Sequence, residues 1–151
     1  MSNRRLVPYE TTLQVRDTCL CLHLQRAARV VARKFDEVFR PLDITQGQFS
    51  LLMSLNRPEP PTLGSVAGLL AMDRTTLTAN LKPLERRGLV RIKVDPADRR
   101  SRRLALDQTR GWFYSLLAEA TPIWKRHHAA LERQLKRSAN ALRADLIALS
   151  R

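Results

Sequence analysis

Threonines and basic residues recur between positions 74 and 86 at intervals that place them together on one face of a helix. Leu77, Leu81 and Leu84 share the other face at about 3.6 residues per turn, so we expect that face to be buried. Threonine hydroxyls can bond base edges or phosphates, threonine and alanine methyl groups can contact thymine, and lysine or arginine can neutralise phosphates. The opposite face holds Thr75, Thr78, Ala79, Lys82 and Arg86. This pattern indicates a surface that binds nucleic acid.

A second basic cluster follows at residues 98–103. The carboxylate of Asp98 can hold one neighbouring arginine, Arg99 or Arg100, while the other projects. Arginine suits a narrow minor groove because that groove concentrates negative potential. Arg102 and Arg103 point to opposite sides of a strand, so one of them is expected to meet the nucleic acid, with Arg102 as the candidate.

The charge of the chain also favours a polyanionic partner. It has 27 Lys and Arg against 14 Asp and Glu, a formal net charge of +13 in 151 residues. Residues 74–110 carry eleven basic and four acidic groups, whereas residues 41–73 are net acidic. Nucleic acid is the first expectation, an anionic membrane surface the second and an acidic protein the third. No run of about 18 apolar residues and no secretory signal occur, so we expect a cytoplasmic protein without a membrane span.

A long helix is predicted near the N-terminus, over residues 13–39, because this stretch has no glycine or proline and Pro41 follows it. At about 1.5 Å per residue it would be about 40 Å long, more than a small domain needs, so we expect part of it to pack on another chain. Its apolar stripe consists of Leu20, Leu24, Ala27, Val31, Phe35 and Val38.

Capping residues predict three more helices in the middle of the chain. Thr45 and Gln48 form a capping box before a helix over residues 46–56, and Thr62 can cap a short helix that stops near Met72. The positions expected to be buried on these two helices are Phe49, Leu52, Leu55, Leu63, Val66, Ala67 and Leu70.

The third of these helices carries the threonines. It is expected to begin after Asp73, a good N-cap, and to end before Gly88, where a left-handed residue belongs. Pro83 lies inside it, removes one amide donor, and is expected to bend the helix or to shorten its regular part.

After Gly88 the apolar residues recur with a period of two, which predicts a β-hairpin turned by Asp95-Pro-Ala-Asp, with basic residues outward. The inward positions are Val90, Ile92, Val94, Leu104 and Leu106. Two short helices, the threonine-bearing helix and this hairpin make a winged helix-turn-helix, which suits duplex DNA. The predicted fold is mainly α with a small β-hairpin.

Two helices are expected to end the chain. Asp107 can cap a long helix with a kink at Pro122, and a final helix runs over about residues 139–149. The first is expected to bury Trp112, Leu116, Ala120, Ile123, His127, Leu131 and Leu135, and the second Leu142, Leu146 and Leu149.

Four motifs together resemble the MarR family of bacterial transcriptional regulators. They are Leu42-Asp-Ile-Thr-Gln-Gly-Gln-Phe, Met72-Asp-Arg-Thr-Thr-Leu-Thr-Ala-Asn-Leu, Leu84-Glu-Arg-Arg-Gly-Leu-Val and Asp95-Pro-Ala-Asp-Arg-Arg. The resemblance implies one domain over residues 1–151, with dimerisation helices at 10–40 and 111–151 and a DNA-binding lobe at 42–108. It also implies a homodimer on a pseudo-palindromic operator, usually a repressor released by a small phenolic or lipophilic ligand, or by oxidation.

By position, the resemblance assigns DNA-binding roles within residues 73–82, including Arg74 and Thr76. It makes Asp98 and Arg100 the bracing pair of the wing and Arg99 its tip. The sequence departs from the family at Ala79, where many members have arginine, at Pro83, and at Asp107, where threonine is usual. The departures at Ala79 and Pro83 affect which bases the helix can recognise and do not affect the fold.

Cys21 supports an alternative, because it falls where the members that sense organic hydroperoxides carry their reactive cysteine. The leucines around it favour a buried, inert thiol instead, and Cys19 and Cys21 point about 200° apart on a helix, which excludes a disulfide between them. A sequence-indifferent architectural or partner-binding protein is the remaining alternative. His23, His127 and His128 form no metal pattern, and without a phosphate loop, nucleophile motif or paired carboxylates we expect neither a cofactor nor an enzyme.

Overall fold

The computed structural model describes residues 6–107 and 112–151, with the side chains at 112 and 113 left aside. The chain divides into two compact units, Met1–Lys34 and Phe35–Arg151, and the described part of the predicted DNA-binding lobe lies in the second unit. None of the described helices is long and apolar enough to cross a membrane.

Two N-terminal helices replace the single helix predicted over residues 13–39. Helix α1 spans Tyr9–Thr18 and α2 spans Leu20–Phe39, separated at Cys19, whose backbone is extended with φ −70° and ψ 108°. The Thr18 hydroxyl donates to the Gln14 carbonyl at 2.7 Å, and His23 Nε2 lies 3.2 Å from the Asp17 carbonyl oxygen. These side chains bond carbonyl groups near the end of α1. The extended residue Cys19 interrupts the helical backbone, so the prediction of one uninterrupted helix was wrong.

The apolar stripe of α2 is buried only at its C-terminal end. Phe35 and Phe39 are buried, whereas Leu20 is 67% exposed and Leu24 38% exposed. Nothing in the described chain covers this leucine-rich face, and its packing on another chain stays a prediction.

Three helices of the second unit begin where their caps predict. A short 3-10 turn, Arg40–Leu42, precedes α3 (Gln46–Leu55), α4 (Leu63–Leu69) and α5 (Arg74–Arg86). The Thr45 hydroxyl accepts the Gln48 amide at 3.1 Å while the Gln48 side chain accepts the Thr45 amide at 3.0 Å, which confirms the capping box. Thr62 and Asp73 cap α4 and α5 in the same manner.

The interior of this unit is built mainly from leucines. Helix α3 packs against helix α6 (Trp112–Glu132) and strand β2 (Arg102–Leu106), which explains why Leu51 and Ser54 are buried in addition to the predicted positions of α3. On α4 the predicted Val66 and Ala67 are buried, while Leu63 and Leu70 are half-buried. The largest fully buried side chains among the described residues are Phe39, Leu51, Leu52, Val66, Leu77, Leu81, Leu84, Leu89, Val90 and Leu104.

Helix α5 continues through Pro83 to Arg86, so the proline does not shorten the helix, and the alternative expectation of a bend stays a prediction. A proline withdraws a single donor from the helical ladder, and here only the last turn lies beyond it. The predicted end of the helix is confirmed, because Gly88 adopts a left-handed φ of 67°.

The hairpin pairs β1 (Val90–Val94) with β2 (Arg102–Leu106) in an antiparallel register that sets Ile92 opposite Leu104 and Val94 opposite Arg102. Val94 is 51% exposed, so its predicted inward position was wrong, because this end of the hairpin extends beyond the core. A short third partner escaped prediction: Thr62 forms a β-bridge with Arg103, and the Leu104 amide donates to the Pro61 carbonyl at 2.9 Å.

Helices α6 (Trp112–Glu132) and α7 (Ala139–Leu149) end the chain. Leu116 and Ala120 are buried as predicted, but α6 stops at Glu132 rather than continuing to Leu135. The predicted Trp112 side chain and the region of the predicted Asp107 cap, residues 108–111, lie outside the described residues.

Helix α7 buries none of its residues, and Leu149 is 61% exposed. The predicted burial of Leu142, Leu146 and Leu149 was therefore wrong for the single chain. The described chain supplies no surface that covers them.

Candidate nucleic-acid interface

Helix α5 separates a buried face from an exposed one as its period predicts. Leu77, Leu81 and Leu84 have no exposed surface, and Thr78 on the other side is half-buried. The side chains of α5 predicted to meet DNA are all exposed except that of Thr78. We call this set the reading surface: Arg74, Thr75, Thr76, Thr78, Ala79, Lys82 and Arg86.

The first turn of α5 is held by Asp73. Its carboxylate accepts the Thr76 amide at 2.8 Å and the Thr76 hydroxyl at 2.6 Å. These donors, with the hydroxyl as the larger cause, hold the pKa of Asp73 below its ordinary value, because they stabilise the ionised carboxylate. Asp73 therefore fixes the start of the reading surface.

Arg74 lies across a glycine of the preceding helix. A β-carbon at Gly64 would stand 3.2 Å from Nη2 of Arg74, closer than ordinary van der Waals contact. The glycine thus leaves room for the guanidinium beside α4.

Two of the three threonine hydroxyls on the reading surface already donate within the protein. Thr76 donates to Asp73, and Thr78 donates to the Arg74 carbonyl at 2.7 Å. Thr75 has no side-chain partner within the described part of the chain.

The hairpin, which we call the wing (residues 90–106), contains an ion pair, and the arginine of that pair also bonds the turn after α3. The Asp95 carboxylate is 7% exposed and accepts Nε of Arg103 at 2.9 Å and the Ala97 amide at 3.0 Å. Arg103 also donates to the Pro60 carbonyl at 2.9 Å. The sequence analysis did not predict that Asp95 and Arg103 form an ion pair. The one available signal was the position of Asp95 at the Asp-Pro turn.

At the tip of the wing, Asp98 bonds Arg100 through the backbone amide of Arg100 and not through its guanidinium group. The Asp98 carboxylate accepts the Arg100 amide at 2.9 Å, and the Asp98 carbonyl accepts the Ser101 amide at 2.9 Å. The guanidinium groups of Arg99 and Arg100 are exposed and have no ion-pair partner within residues 6–107 and 112–151. Both therefore remain available to an external anion.

The two arginines at the start of β2 differ in role. Arg102 is exposed and donates to the Arg99 carbonyl at 3.0 Å and the Ser101 carbonyl at 3.2 Å. Arg103 is held by Asp95 and Pro60. Arg102 is thus the more accessible of the pair, in line with its choice as the candidate contact.

The base of the wing carries a second ion pair with a buried acid. Arg91 Nε lies 2.9 Å from the carboxylate of Asp107, whose side chain is 6% exposed. The C-cap residue of α5, Arg87, also donates to the Asp43 carbonyl. These contacts involve residues outside the reading surface. The basic side chains of the reading surface are therefore not neutralised by them, and that surface stays cationic.

Both cysteines belong to the N-terminal unit, Met1–Lys34. Cys21 is exposed and its sulfur accepts the Gln25 amide nitrogen at 3.1 Å, while Cys19 is half-buried, and both are free thiols. Arg16 pairs with Asp17 at 2.6 Å and does not contact a thiol. No group of three His, Cys, Asp or Glu residues that could hold a metal ion occurs in the part of the chain that the structure describes.

Comparison with known proteins identifies the family. Residues 44–101 match the model of the MarR family. The solved structure of the M. tuberculosis transcriptional regulator MosR in complex with DNA is 31% identical, with a TM-score of 0.77 over 87% of this chain and 93% of that chain. The chain belongs to the MarR family.

Two further relatives are similar to this MarR-family protein. The transcriptional repressor CouR bound to a 23-mer DNA duplex is 30% identical, with a TM-score of 0.76 over 91% of this chain and 96% of that chain. The organic hydroperoxide resistance transcriptional regulator of Bacillus subtilis is 30% identical over 89 residues, 59% of this chain and 60% of that protein. The chain spans about 60% of the length of the curated relatives it matches.

Proposed function

We propose that this MarR-family protein is a sequence-specific, duplex-DNA-binding transcriptional regulator that acts as a homodimeric repressor. The observation that carries the proposal is the cationic reading surface of α5 beside a wing with unpaired arginines at its tip. A major groove about 12 Å wide admits one helix, and the neighbouring minor groove suits Arg99. In this proposal Lys82, Arg86 and Arg102 neutralise phosphates, Arg100 acts with Arg99 at the wing tip, and Asp98 holds the tip in shape.

A second copy of the chain completes the proposed regulator. Helix α2 exposes Leu20 and Leu24, and α7 exposes Leu146 and Leu149, which is unfavourable for an isolated chain in water. A homodimer that binds a pseudo-palindromic operator must hold its two reading surfaces about 34 Å apart, one helical turn of DNA. The proposal assigns the chain no catalytic activity and places it in the cytoplasm, where bacterial DNA lies.

A cavity among helices of the second unit supports the proposal that a small lipophilic or aromatic ligand releases the protein from DNA. It measures about 520 Å³ and lies among α3, α4 and α6, lined by Phe49, Ser50, Met53, Ser54, Leu69, Leu70, Thr121, Trp124 and Lys125. Trp124 stacks on Phe49 at 6.4 Å and on His128 at 4.6 Å. The walls are largely apolar, which suits an aromatic ligand whose polar end meets Lys125. CouR, solved bound to p-coumaroyl-CoA, is 27% identical.

The connection between cavity and DNA-binding elements explains how a ligand would act. Phe49 lies on α3 and Leu70 directly after α4, and both helices pack within the lobe that carries α5. A ligand that separates Trp124 from α3 and α4 would shift these helices and with them the DNA-binding lobe. Such a ligand binds the conformation that releases DNA more tightly than the conformation that binds DNA, and so it weakens DNA binding.

Selection of bound duplexes by the full-length protein tests the proposal. A random-sequence duplex library is passed through repeated binding, and the enriched duplex is compared with a scrambled duplex of equal length and composition at several salt concentrations. We expect one palindromic sequence to be enriched and to bind at least about 1,000-fold more tightly than the scrambled duplex. Equal binding of all duplexes would overturn sequence specificity and leave the architectural or partner-binding alternative.

A thiol switch is the second candidate. The exposure of Cys21 and its contact with Gln25 favour it, as does similarity to the Bacillus hydroperoxide regulator. Treatment of the protein–duplex complex with an organic hydroperoxide should then release the wild-type protein and not the Cys21→Ser variant. Full release of that variant would remove this candidate, and Cys19→Ser serves as the matched control.

A further inference from the structure

We propose that Thr78 reads an A·T base pair in each half-site, through its methyl group and its hydroxyl oxygen. The inference rests on the proposed function and adds the class of base pair that α5 recognises. Its basis is the direction of the hydroxyl protons on the reading surface.

The Thr78 hydroxyl proton is already used inside the helix. Oγ1 lies 2.7 Å from the Arg74 carbonyl oxygen and donates to it. A hydroxyl group has one proton and two acceptor lone pairs, so Thr78 presents to a ligand only an acceptor and a methyl group. Thr76 is bound in a similar way, since its hydroxyl donates to Asp73 at 2.6 Å.

The residue next to Thr78 adds no donor. Ala79 is exposed and offers only its β-carbon, and the next long side chain toward the C-terminus on this face is Lys82. The short side chains of Thr78 and Ala79 let the helix backbone approach the base edges. The middle of the reading surface is therefore a patch of methyl groups with one oxygen acceptor.

An A·T pair matches this patch and a G·C pair does not. In the major groove adenine offers the N6 amino donor and thymine its C5 methyl group, which meet the Thr78 oxygen and the Thr78 methyl group respectively. Guanine presents two acceptors, N7 and O6, which Thr78 has no free proton to satisfy. Cytosine offers a donor but has no methyl group in that position.

Two base analogues separate the two halves of the contact. The duplex enriched by selection is remade with deoxyuridine in place of each thymine in turn, which removes one methyl group, and with purine in place of each adenine, which removes the N6 amino group. Losing burial of one methyl group corresponds to about a fourfold loss of affinity, and losing one hydrogen bond to about a fivefold loss. We expect one base pair per half-site to show both effects with the wild-type protein.

Substitutions at Thr78 then assign the effects to atoms. Thr78→Ser keeps the hydroxyl and removes the methyl group, so deoxyuridine should no longer weaken binding while purine still does. Thr78→Val keeps the methyl group and removes the oxygen, so the reverse is expected. Each variant keeps the shape of the helix, which circular dichroism checks, and replacements outside the half-sites serve as the control.

The outcomes distinguish this inference from the proposed function. If a sequence is enriched but no thymine in it responds to deoxyuridine, or if Thr78→Ser retains the full wild-type response, the inference about Thr78 is overturned and the regulator remains. If no sequence is enriched at all, the proposed function fails first, and the inference about Thr78 fails with it.

Discussion

Arg103 and Asp95 form an ion pair of 2.9 Å within the wing, and Arg103 joins the wing to the rest of the lobe through the Pro60 carbonyl. Asp95 is buried, while Arg103 is about one-third exposed and donates as well to Pro60, which lies 43 residues earlier in the chain. The position of the wing tip therefore depends on a contact between the hairpin and the turn that follows α3.

Removing Arg103 should destabilise the protein more than neutralising Asp95. Arg103→Ala leaves a buried carboxylate without its cation, at a cost of about 3 kcal/mol in the free energy of unfolding. Asp95→Asn keeps an acceptor for the Ala97 amide and should cost about 1 kcal/mol. Urea denaturation monitored by circular dichroism measures both. The exposed Arg102→Ala is the control, with an expected change below about 0.5 kcal/mol, and equal losses in all three variants would contradict the role of the ion pair.

Lys82→Ala should weaken binding to every duplex by a similar factor, because a phosphate contact carries no sequence information. In a homodimer two contacts are lost, so the slope of log affinity against log salt should decrease in magnitude by about two. Fluorescence anisotropy at a series of salt concentrations measures the slope for the selected and the scrambled duplex. Lys136→Ala removes the same charge from the loop after α6 and should leave the slope unchanged, whereas a selective loss on one duplex would assign Lys82 to base reading.

The pKa of Asp73 should rise when the Thr76 hydroxyl is removed. Because that hydroxyl is the largest cause of the lowered pKa, Thr76→Val should bring the pKa part of the way back, with the Thr76 amide still donating. Nuclear magnetic resonance titration of the Asp73 side-chain carbonyl carbon measures the change. Since the pKa is lower in the folded protein, the stabilisation is complete above the pKa of the unfolded chain and is lost as the pH falls through the folded value. An unchanged titration in Thr76→Val would refute this account.

Two substitutions before α5 should each stabilise the protein: alanine to glycine in the turn at Ala71, and glycine to alanine within α4 at Gly68. Ala71 has a left-handed φ of 50°, so Ala71→Gly should relieve strain and raise the free energy of unfolding by about 0.5 kcal/mol. Gly68 is helical and its β-carbon position is open, so Gly68→Ala should also stabilise, by about 0.5–1 kcal/mol. Thermal unfolding followed by calorimetry compares the two variants. Destabilisation by Ala71→Gly would mean that the left-handed residue carries no strain.

Local interactions explain which expectations from the sequence were confirmed. The capping residues Thr45, Thr62 and Asp73 each bond an amide three residues away, and Gly88 acts on the helix it follows. The separation of Leu77 from Lys82 on α5 follows from the helical repeat alone. The winged helix-turn-helix and the composition of the reading surface were predictable for these reasons.

Distant contacts and the extent of the core account for what the sequence left open. Asp95 and Pro60 make Arg103 less accessible than Arg102, and the extent of the core along the hairpin leaves Val94 exposed. The break at Cys19 is seen only in the backbone geometry, and the face of α7 is bare because no described residue covers it. Sequence periodicity tells which residues share a face; only tertiary structure decides what, if anything, lies against that face, because burial depends on residues far away in the chain.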